Sequence, residues 1–306
     1  MLVYLRSNNY RPAIKPRATL SPGSWIRCER PSENEKQELL ALGIDEDVLY
    51  DALDPHEVPR VESGEDGWTY FITRLPDTDD QFNDFTTPIL FALNREYLVT
   101  ISRDSLTRLW QPFIDRTKTP TTQQSKLLMA MIEAIINQYQ HRVAAINRLT
   151  RAATSDVNNL RSKDIATLTE YERKLNDFLD ALIPTNTATE KLLSGKFIRL
   201  YDDDRDQVED LSIDLEQLIA RCKSLLRSIT NVRDSYRAVM DTRLNETIQL
   251  LTVITLALAI PTMLAGLFGM NVAIPGNENS PLAFWGVVAV SVVLSLSFVV
   301  YFMRRR

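Results

Sequence analysis

The sequence predicts an α+β cytoplasmic domain, followed by a long stalk helix and two transmembrane helices. Three observations support this prediction: mixed strand and helix patterns in residues 1–118, helical periodicity after them, and two uncharged C-terminal stretches. The average composition hides the last of these, because 44% hydrophobic residues and a mean hydropathy of −0.16 are typical of a soluble protein. The apolar residues are instead concentrated at the C-terminal end of the 306-residue chain.

Residues 1–118 carry the patterns of an N-terminal cytoplasmic α/β domain. Ser32 and Glu35 stand three residues apart, which is the capping-box signature of a helix start. Alternating apolar residues, separated by short polar turns, predict two hairpins. Their strands are expected at residues 58–62 and 68–75 for the first hairpin, and at residues 85–93 and 97–102 for the second.

After these strands, apolar residues recur every three or four positions, which is typical of helices. Residues 119–202 are expected to form a helical hairpin, and Pro184 could interrupt its second helix because proline removes a backbone donor. A third helix starts at residue 203 and has no proline before Pro261. Its length exceeds that of a globular helix, so residues 203–247 are expected to form a stalk that continues into the membrane.

Two uncharged stretches predict membrane helices at residues 248–270 and 282–303, because about 20 apolar residues cross a bilayer. The intervening loop, residues 271–281, contains no Lys or Arg, whereas arginines precede the first span and form the tail, residues 304–306. The positive-inside rule therefore puts both termini in the cytoplasm and the loop outside. We expect a multi-pass protein of the plasma membrane.

Several function classes are disfavoured by composition. A net charge of −5 argues against nucleic acid as a partner. Two cysteines and two histidines supply almost no ligands for a zinc site of His and Cys. No phosphate-binding loop, nucleophile elbow or metal-hydrolase spacing is present, so we do not expect an enzyme.

The third helix carries two different seven-residue patterns. The first is apolar and predicts a coiled-coil stripe that packs on the two preceding helices or on a neighbouring subunit. Its members are Leu211, Leu215, Leu218, Cys222, Leu225, Ile229, Val232, Tyr236 and Val239.

The second pattern is small or polar, and it continues from the stalk into the membrane. Inside the bilayer, such residues are equally consistent with close helix packing and with a pore lining. The acidic residues on the same line favour the pore, because a row of carboxylates at its cytoplasmic mouth concentrates cations. Since two helices cannot enclose water, several subunits are required. The line contains Asp234, Asp241, Asn245, Ile248, Thr252, Thr255, Ala259, Thr262 and Gly266.

A short motif, Gly269-Met270-Asn271, stands at the outer end of the first span, before a short loop, a second span and a basic tail. In this arrangement the chain resembles the CorA family of divalent-cation (magnesium) transporters and channels. Residues 53–62, and Asn245 with Glu246, match further segments of that family. The resemblance implies a funnel-shaped homopentamer in the lipid bilayer, with five first membrane helices around the pore.

The resemblance also implies roles for individual residues. Gly269, Met270 and Asn271 would form the selectivity filter, where Asn271 oxygens hydrogen-bond the water shell of Mg²⁺. Ile248 and Leu251 are the expected positions of an apolar constriction, and Glu278 is expected to attract cations at the outer mouth.

Regulation by intracellular Mg²⁺ is likewise implied by the resemblance. Asp210 falls where family members carry a stalk aspartate of a regulatory Mg²⁺ site between subunits. Carboxylates of the next subunit's α/β domain are expected to complete it, since a divalent ion bridges charges that otherwise repel. The candidates are Asp77, Asp79, Asp80 and Asp84.

Two alternatives remain. The chain could transport Zn²⁺, Co²⁺ or Ni²⁺, as do ZntB relatives of the same family, although these ions favour nitrogen and sulfur ligands, which are scarce here. It could also be a non-conducting, membrane-anchored cation sensor. The polar line inside the membrane argues against a sensor, which needs no such line.

Overall fold

The computed structural model describes residues 1–8, 11–64, 67–78, 84–154, 160–198, 200, 202–270 and 281–304. The chain divides into two compact units, Met1–Val232 and Arg233–Arg306. The predicted architecture is confirmed: an α+β unit is followed by one very long helix and a second apolar helix.

The first unit contains a seven-stranded sheet with the strand order β2-β1-β3-β7-β6-β5-β4. Neighbouring strands are antiparallel except for β3 and β7, which are parallel. Both predicted hairpins, β4–β5 and β6–β7, are present. The strands are β1 (Leu2–Asn8), β2 (Arg11–Arg17), β3 (Ser24–Glu29), β4 (Arg60–Ser63), β5 (Thr69–Thr78), β6 (Asp84–Leu93) and β7 (Tyr97–Ser102).

Both faces of the sheet are covered, because alternate residues of each strand point to opposite sides. On one face, α1 (Glu33–Ala41) and α2 (Glu46–Asp51) close a core that includes Ile26, Leu39, Leu49, Ile72 and Ile101. The expected capping box starts α1, where the Ser32 side chain accepts from the Glu35 N–H. On the other face, Trp25 packs edge-to-face on Trp110 of α3 (Thr107–Arg116), with ring centroids 5.1 Å apart.

Four long helices follow the sheet: α4 (Gln124–Thr154), α5 (Ser162–Leu193), α6 (Asp202–Phe268) and α7 (Pro281–Arg304). The expected interruption at Pro184 is wrong, because α5 runs through it. Packing holds the helix together there: Leu182 and Thr185 on either side are buried. The Thr185 hydroxyl is 2.8 Å from that of Thr73 in β5 and donates to the Ala181 carbonyl at 2.7 Å.

The apolar stripe of α6 is buried from Leu211 to Val232 within a single chain. Ser212, beside it, donates to Asn186 Oδ1 of α5 at 3.1 Å. Gln140 of α4 and Leu218 of α6 line one cavity of about 200 Å³. The stripe therefore packs on the two preceding helices of its own chain, which was the first of the two predicted possibilities.

Candidate functional site

Two helices in the described part of the chain, α6 and α7, are long and apolar enough to cross a membrane. They meet within the second unit along one face of each helix. On α6 this face consists of half-buried residues at three- and four-residue spacing, namely Val253, Ala257, Ile260, Pro261 and Leu264. On α7 it includes Ser291, which is only 7% exposed, and Ser295. Small residues such as Ala257 and the two serines allow the backbones to approach closely.

The predicted pore-lining residues lie on the opposite side of α6. At 100° per residue, they stand roughly 120–180° around the helix from Ala257. All of them are exposed in the single chain, so α7 leaves them uncovered. Leu251 lies at the edge of this polar face and is 64% exposed. The polar face within the span consists of Ile248, Thr252, Thr255, Ala259, Thr262 and Gly266.

Hydroxyl groups on the polar face bond to their own helix. Thr252, Thr255 and Thr262 donate to the carbonyls four residues earlier at 2.8, 2.8 and 2.9 Å. Each hydroxyl oxygen keeps lone pairs that can accept a hydrogen bond from water. At Gly266, an added Cβ would meet no heavy atom within 4 Å. Packing within this chain therefore does not require a glycine there, which leaves room for a neighbouring helix or for water.

Asp234, Asp241 and Asn245 continue this face toward the N-terminal part of α6, and all three are exposed. Arg237 Nη1 is 3.7 Å from Asp234 Oδ1, and both side chains are more than half exposed. Such a solvated pair contributes little energy, so Asp234 keeps its charge accessible to cations.

The filter motif is described only in part. The helix α6 ends at Phe268, and the Gly269 N–H donates to the Ala265 carbonyl at 3.0 Å. Met270 follows with its side chain exposed. Asn271 and Glu278 lie outside the described residues, so their assigned roles remain predictions.

The predicted regulatory acids lie in the first unit. Asp210 is exposed on α6. Asp77 is in β5, where its carboxylate accepts from the Thr78 N–H at 2.8 Å, and the backbone of Asp84 pairs with Thr78. Asp79 and Asp80 are outside the described residues. Within the part of the chain that is described, no three His, Cys, Asp or Glu side chains are grouped to hold a metal ion.

One cavity of about 490 Å³ in the first unit was not predicted. Its wall includes His56 and Glu57, from the segment that resembles the CorA family, together with Asp177 and Asp180 of α5. Arg74 also lines it and donates to the carbonyls of Glu57 and Thr86 at 2.9 and 2.6 Å. Burial raises the pKa of Asp177. Sequence spacing does not reveal this cavity, because its walls come from four separate segments of the chain.

Two comparisons with known proteins give matches over most of the chain. The family described as CorA-like Mg²⁺ transporter protein matches residues 23–305. The cobalt/magnesium transport protein CorA of Methanocaldococcus jannaschii is 26% identical over 293 residues, which cover 92% of this chain and 90% of that protein.

Solved structures support the fold. The complete structure of the CorA magnesium transporter from M. jannaschii has a TM-score of 0.86 at 22% identity, covering 100% of this chain and 98% of that one. The ZntB cytoplasmic domain from Vibrio parahaemolyticus has a TM-score of 0.65 at 13% identity, covering 78% of this chain and 98% of that one. Since the family match extends over both units and both apolar helices, this chain belongs to the CorA-like Mg²⁺ transporter family of divalent-cation transporters.

Proposed function

We propose that this protein takes up Mg²⁺ through a pore lined by the α6 helices of identical subunits. One observation carries the proposal: the polar face of α6 lies opposite the face that α7 covers, and it is exposed in the single chain. Lipid offers no hydrogen-bond donor to the lone pairs that the Thr252, Thr255 and Thr262 hydroxyls keep on this face. Water and the equivalent helices of other subunits do.

The proposed assembly is a homopentamer in the plasma membrane, as family membership suggests. Residues 248–270 and 282–303 would cross the bilayer, joined outside by residues 271–281. Four parts of the chain would lie in the cytoplasm. They are the α/β domain (residues 1–118), the helical hairpin (residues 119–202), the stalk (residues 203–247) and the basic tail (residues 304–306). A cysteine at Asn277 that reacts only with reagents inside the cell would refute this orientation.

Ion selection in this proposal depends on hydration. Mg²⁺ releases its water reluctantly, so a ring of neutral Asn271 oxygens can recognise the hydrated ion. Neutral oxygens bind more weakly than a ring of carboxylates, and an ion that is bound too tightly cannot leave. Asp234 and Asp241 would raise the local cation concentration at the cytoplasmic mouth.

Gating is proposed to depend on a second Mg²⁺ site, formed between subunits. Asp210 is exposed on α6, and in the described part of one chain it is not part of any three-residue metal cluster. A neighbouring subunit would supply Asp77, Asp79, Asp80 or Asp84. Binding of intracellular Mg²⁺ would then stabilise the closed state, because the ion favours the state in which these carboxylates lie close together.

The second candidate is transport of Zn²⁺, Co²⁺ or Ni²⁺, which the structural likeness to the ZntB domain supports. The cysteines argue for Mg²⁺ instead. Cys28 and Cys222 are buried, with no exposed sulfur. Softer ions favour such sulfur ligands, and neither thiol is accessible to them.

Flux into liposomes that contain the purified protein tests the proposal. Mg²⁺, Co²⁺, Ni²⁺ and Zn²⁺ should be compared at equal concentration and voltage. We expect Mg²⁺ to enter liposomes that contain the protein faster than it enters empty liposomes. It should also enter faster than Zn²⁺. A preference for Zn²⁺ would favour the second candidate, and no flux of any ion would refute transport.

A matched pair of variants tests the pore face. In Thr255→Cys the new thiol lies on the polar face, whereas in Ile254→Cys it lies about 100° away, toward lipid. A cationic thiol reagent should block flux through the first variant and spare the second. Equal block of both, or of neither, would remove the polar face of α6 from the ion pathway.

A further inference from the structure

Pro261 removes one hydrogen bond from α6 in the middle of its apolar segment. Proline has no N–H, so the carbonyl of Ala257, four residues earlier, loses its helical donor. In the hydrocarbon of a bilayer no water is present to replace that donor, and the carbonyl must be satisfied by another protein group.

The second span supplies the missing donor. Ser295 Oγ of α7 donates to the Ala257 carbonyl at 2.9 Å. A helical serine commonly bonds to a carbonyl of its own helix. Ser291, one turn earlier, does so and donates to the Val288 carbonyl at 2.8 Å. The Ser295 hydroxyl instead crosses to the one carbonyl that Pro261 leaves without a helical partner.

The carbonyl next to it also has a side-chain donor. Leu258 accepts from Thr262 Oγ1 at 2.9 Å. Sharp bends in helices occur mostly at proline, because the ladder there is incomplete. The Ser295 hydroxyl therefore replaces the bond that is missing at Pro261, and the Thr262 hydroxyl adds a side-chain bond to the neighbouring carbonyl, where α6 is most easily bent.

We propose that Ser295 is a positioning residue, which holds the first span at a defined angle at Pro261. This inference rests on the proposed function, in which α6 lines the pore. Thr262, Gly266 and the filter motif follow the proline, whereas Thr252 and Thr255 precede it. The angle at Pro261 consequently sets how the filter end of the pore is aligned with its cytoplasmic part.

A double-mutant cycle between Ser295→Ala and Pro261→Ala tests this role. Ser295→Ala alone leaves the Ala257 carbonyl unsatisfied. In the Pro261→Ala background the alanine N–H restores the helical bond to Ala257, so the serine is no longer needed. Ser295→Thr keeps a hydroxyl and is the rescue variant. Ser297→Ala removes an exposed hydroxyl from the same helix and is the matched control.

Two readouts are measured on the full-length protein in liposomes: Mg²⁺ flux and the midpoint of thermal unfolding. Hydrogen bonds between membrane helices contribute modestly to stability. Ser295→Ala should therefore reduce Mg²⁺ flux by about three- to twentyfold and lower the midpoint of thermal unfolding. Ser295→Thr and Ser297→Ala should match the unmodified protein. In the Pro261→Ala background, Ser295→Ala should change neither readout.

Three results would overturn the inference. The first is that Ser295→Ala lowers flux and midpoint equally with Pro261 and with Pro261→Ala, which would mean that Ser295 acts through packing alone. The second is that Ser295→Ala lowers neither flux nor midpoint in either background. The third is a lower midpoint with unchanged flux, which would make the bond purely structural. If the unmodified protein shows no flux, the proposed function fails, and the midpoint cycle still tests the hydrogen bond separately.

Discussion

Leu215→Ala tests whether the buried stripe of α6 holds this helix on its own chain. Leu215 is 0% exposed, in the middle of the stripe. The substitution removes three carbon atoms, and at about 0.8 kcal/mol for each buried methylene the lost transfer energy is about 2.4 kcal/mol. The cavity left behind adds to this, so we expect a total of about 3–5 kcal/mol.

Ile213→Ala is the matched control, because Ile213 lies two residues away on the same helix and is 44% exposed. Its truncation should cost less than about 1 kcal/mol, since little apolar surface is returned to water. In both variants a side chain of the same length, on the same helix, is replaced by alanine. They differ in burial, because Leu215 is fully buried and Ile213 is exposed.

Urea unfolding of the first unit, Met1–Val232, measures how much each variant lowers the free energy of unfolding. With a slope of about 3 kcal/mol per molar urea, Leu215→Ala should lower the midpoint by about 1–1.7 M. A single cooperative transition with an unchanged slope is needed for this comparison. Equal midpoint shifts for both variants, or a loss below about 1 kcal/mol for Leu215→Ala, would refute the packing argument.

Three further predictions concern the ion pathway, its regulation and the thiols. Asn271→Ala should abolish most divalent flux while the variant elutes from size-exclusion chromatography at the same volume as the unmodified protein; a fully active variant would refute the filter assignment. Asp210→Ala should weaken inhibition of flux by internal Mg²⁺ without changing ion preference, and an unchanged inhibition curve would exclude it from gating. Burial raises the pKa of Cys28 and Cys222 to about 12 from 9.0, so at pH 8 neither should be alkylated until urea unfolds the protein. Because the folded state holds these protons more tightly, stability should fall as the pH rises from 9.0 toward 12, and rapid alkylation of the folded protein would contradict their burial.

Local patterns predicted much of the fold. The capping box at Ser32 and the two hairpins depend on residues close in sequence, and all are present. The first hairpin strand begins at Arg60 rather than at residue 58, next to Pro59, which has no N–H to donate. The parallel pairing of Ser24 with Tyr97 was not predicted, since alternation shows which residues share a face and not which strand lies alongside.

The candidate site was predicted from helix periodicity, and the roles of its residues stay predictions. Its two stripes on α6 were identified from spacing alone; the apolar stripe is buried from Leu211 to Val232, whereas Tyr236 and Val239 at its end are half-buried. The regulatory Mg²⁺ site is harder to predict from periodicity. Asp210 and Asp77 come from separate elements, and their proposed partners belong to another subunit. Spacing along one chain cannot specify such a site.

The sequence by itself determined the two hairpins, the two apolar spans and the two faces of the long helix, because these follow from composition and period. Only the tertiary structure decided what covers each face. It packs the apolar stripe on α4 and α5, holds α5 continuous through Pro184, and joins Ser295 to the carbonyl that Pro261 frees. The reason is physical: a helical period orients side chains around an axis, whereas the partner of each face is chosen by packing and hydrogen bonding between segments far apart in the chain.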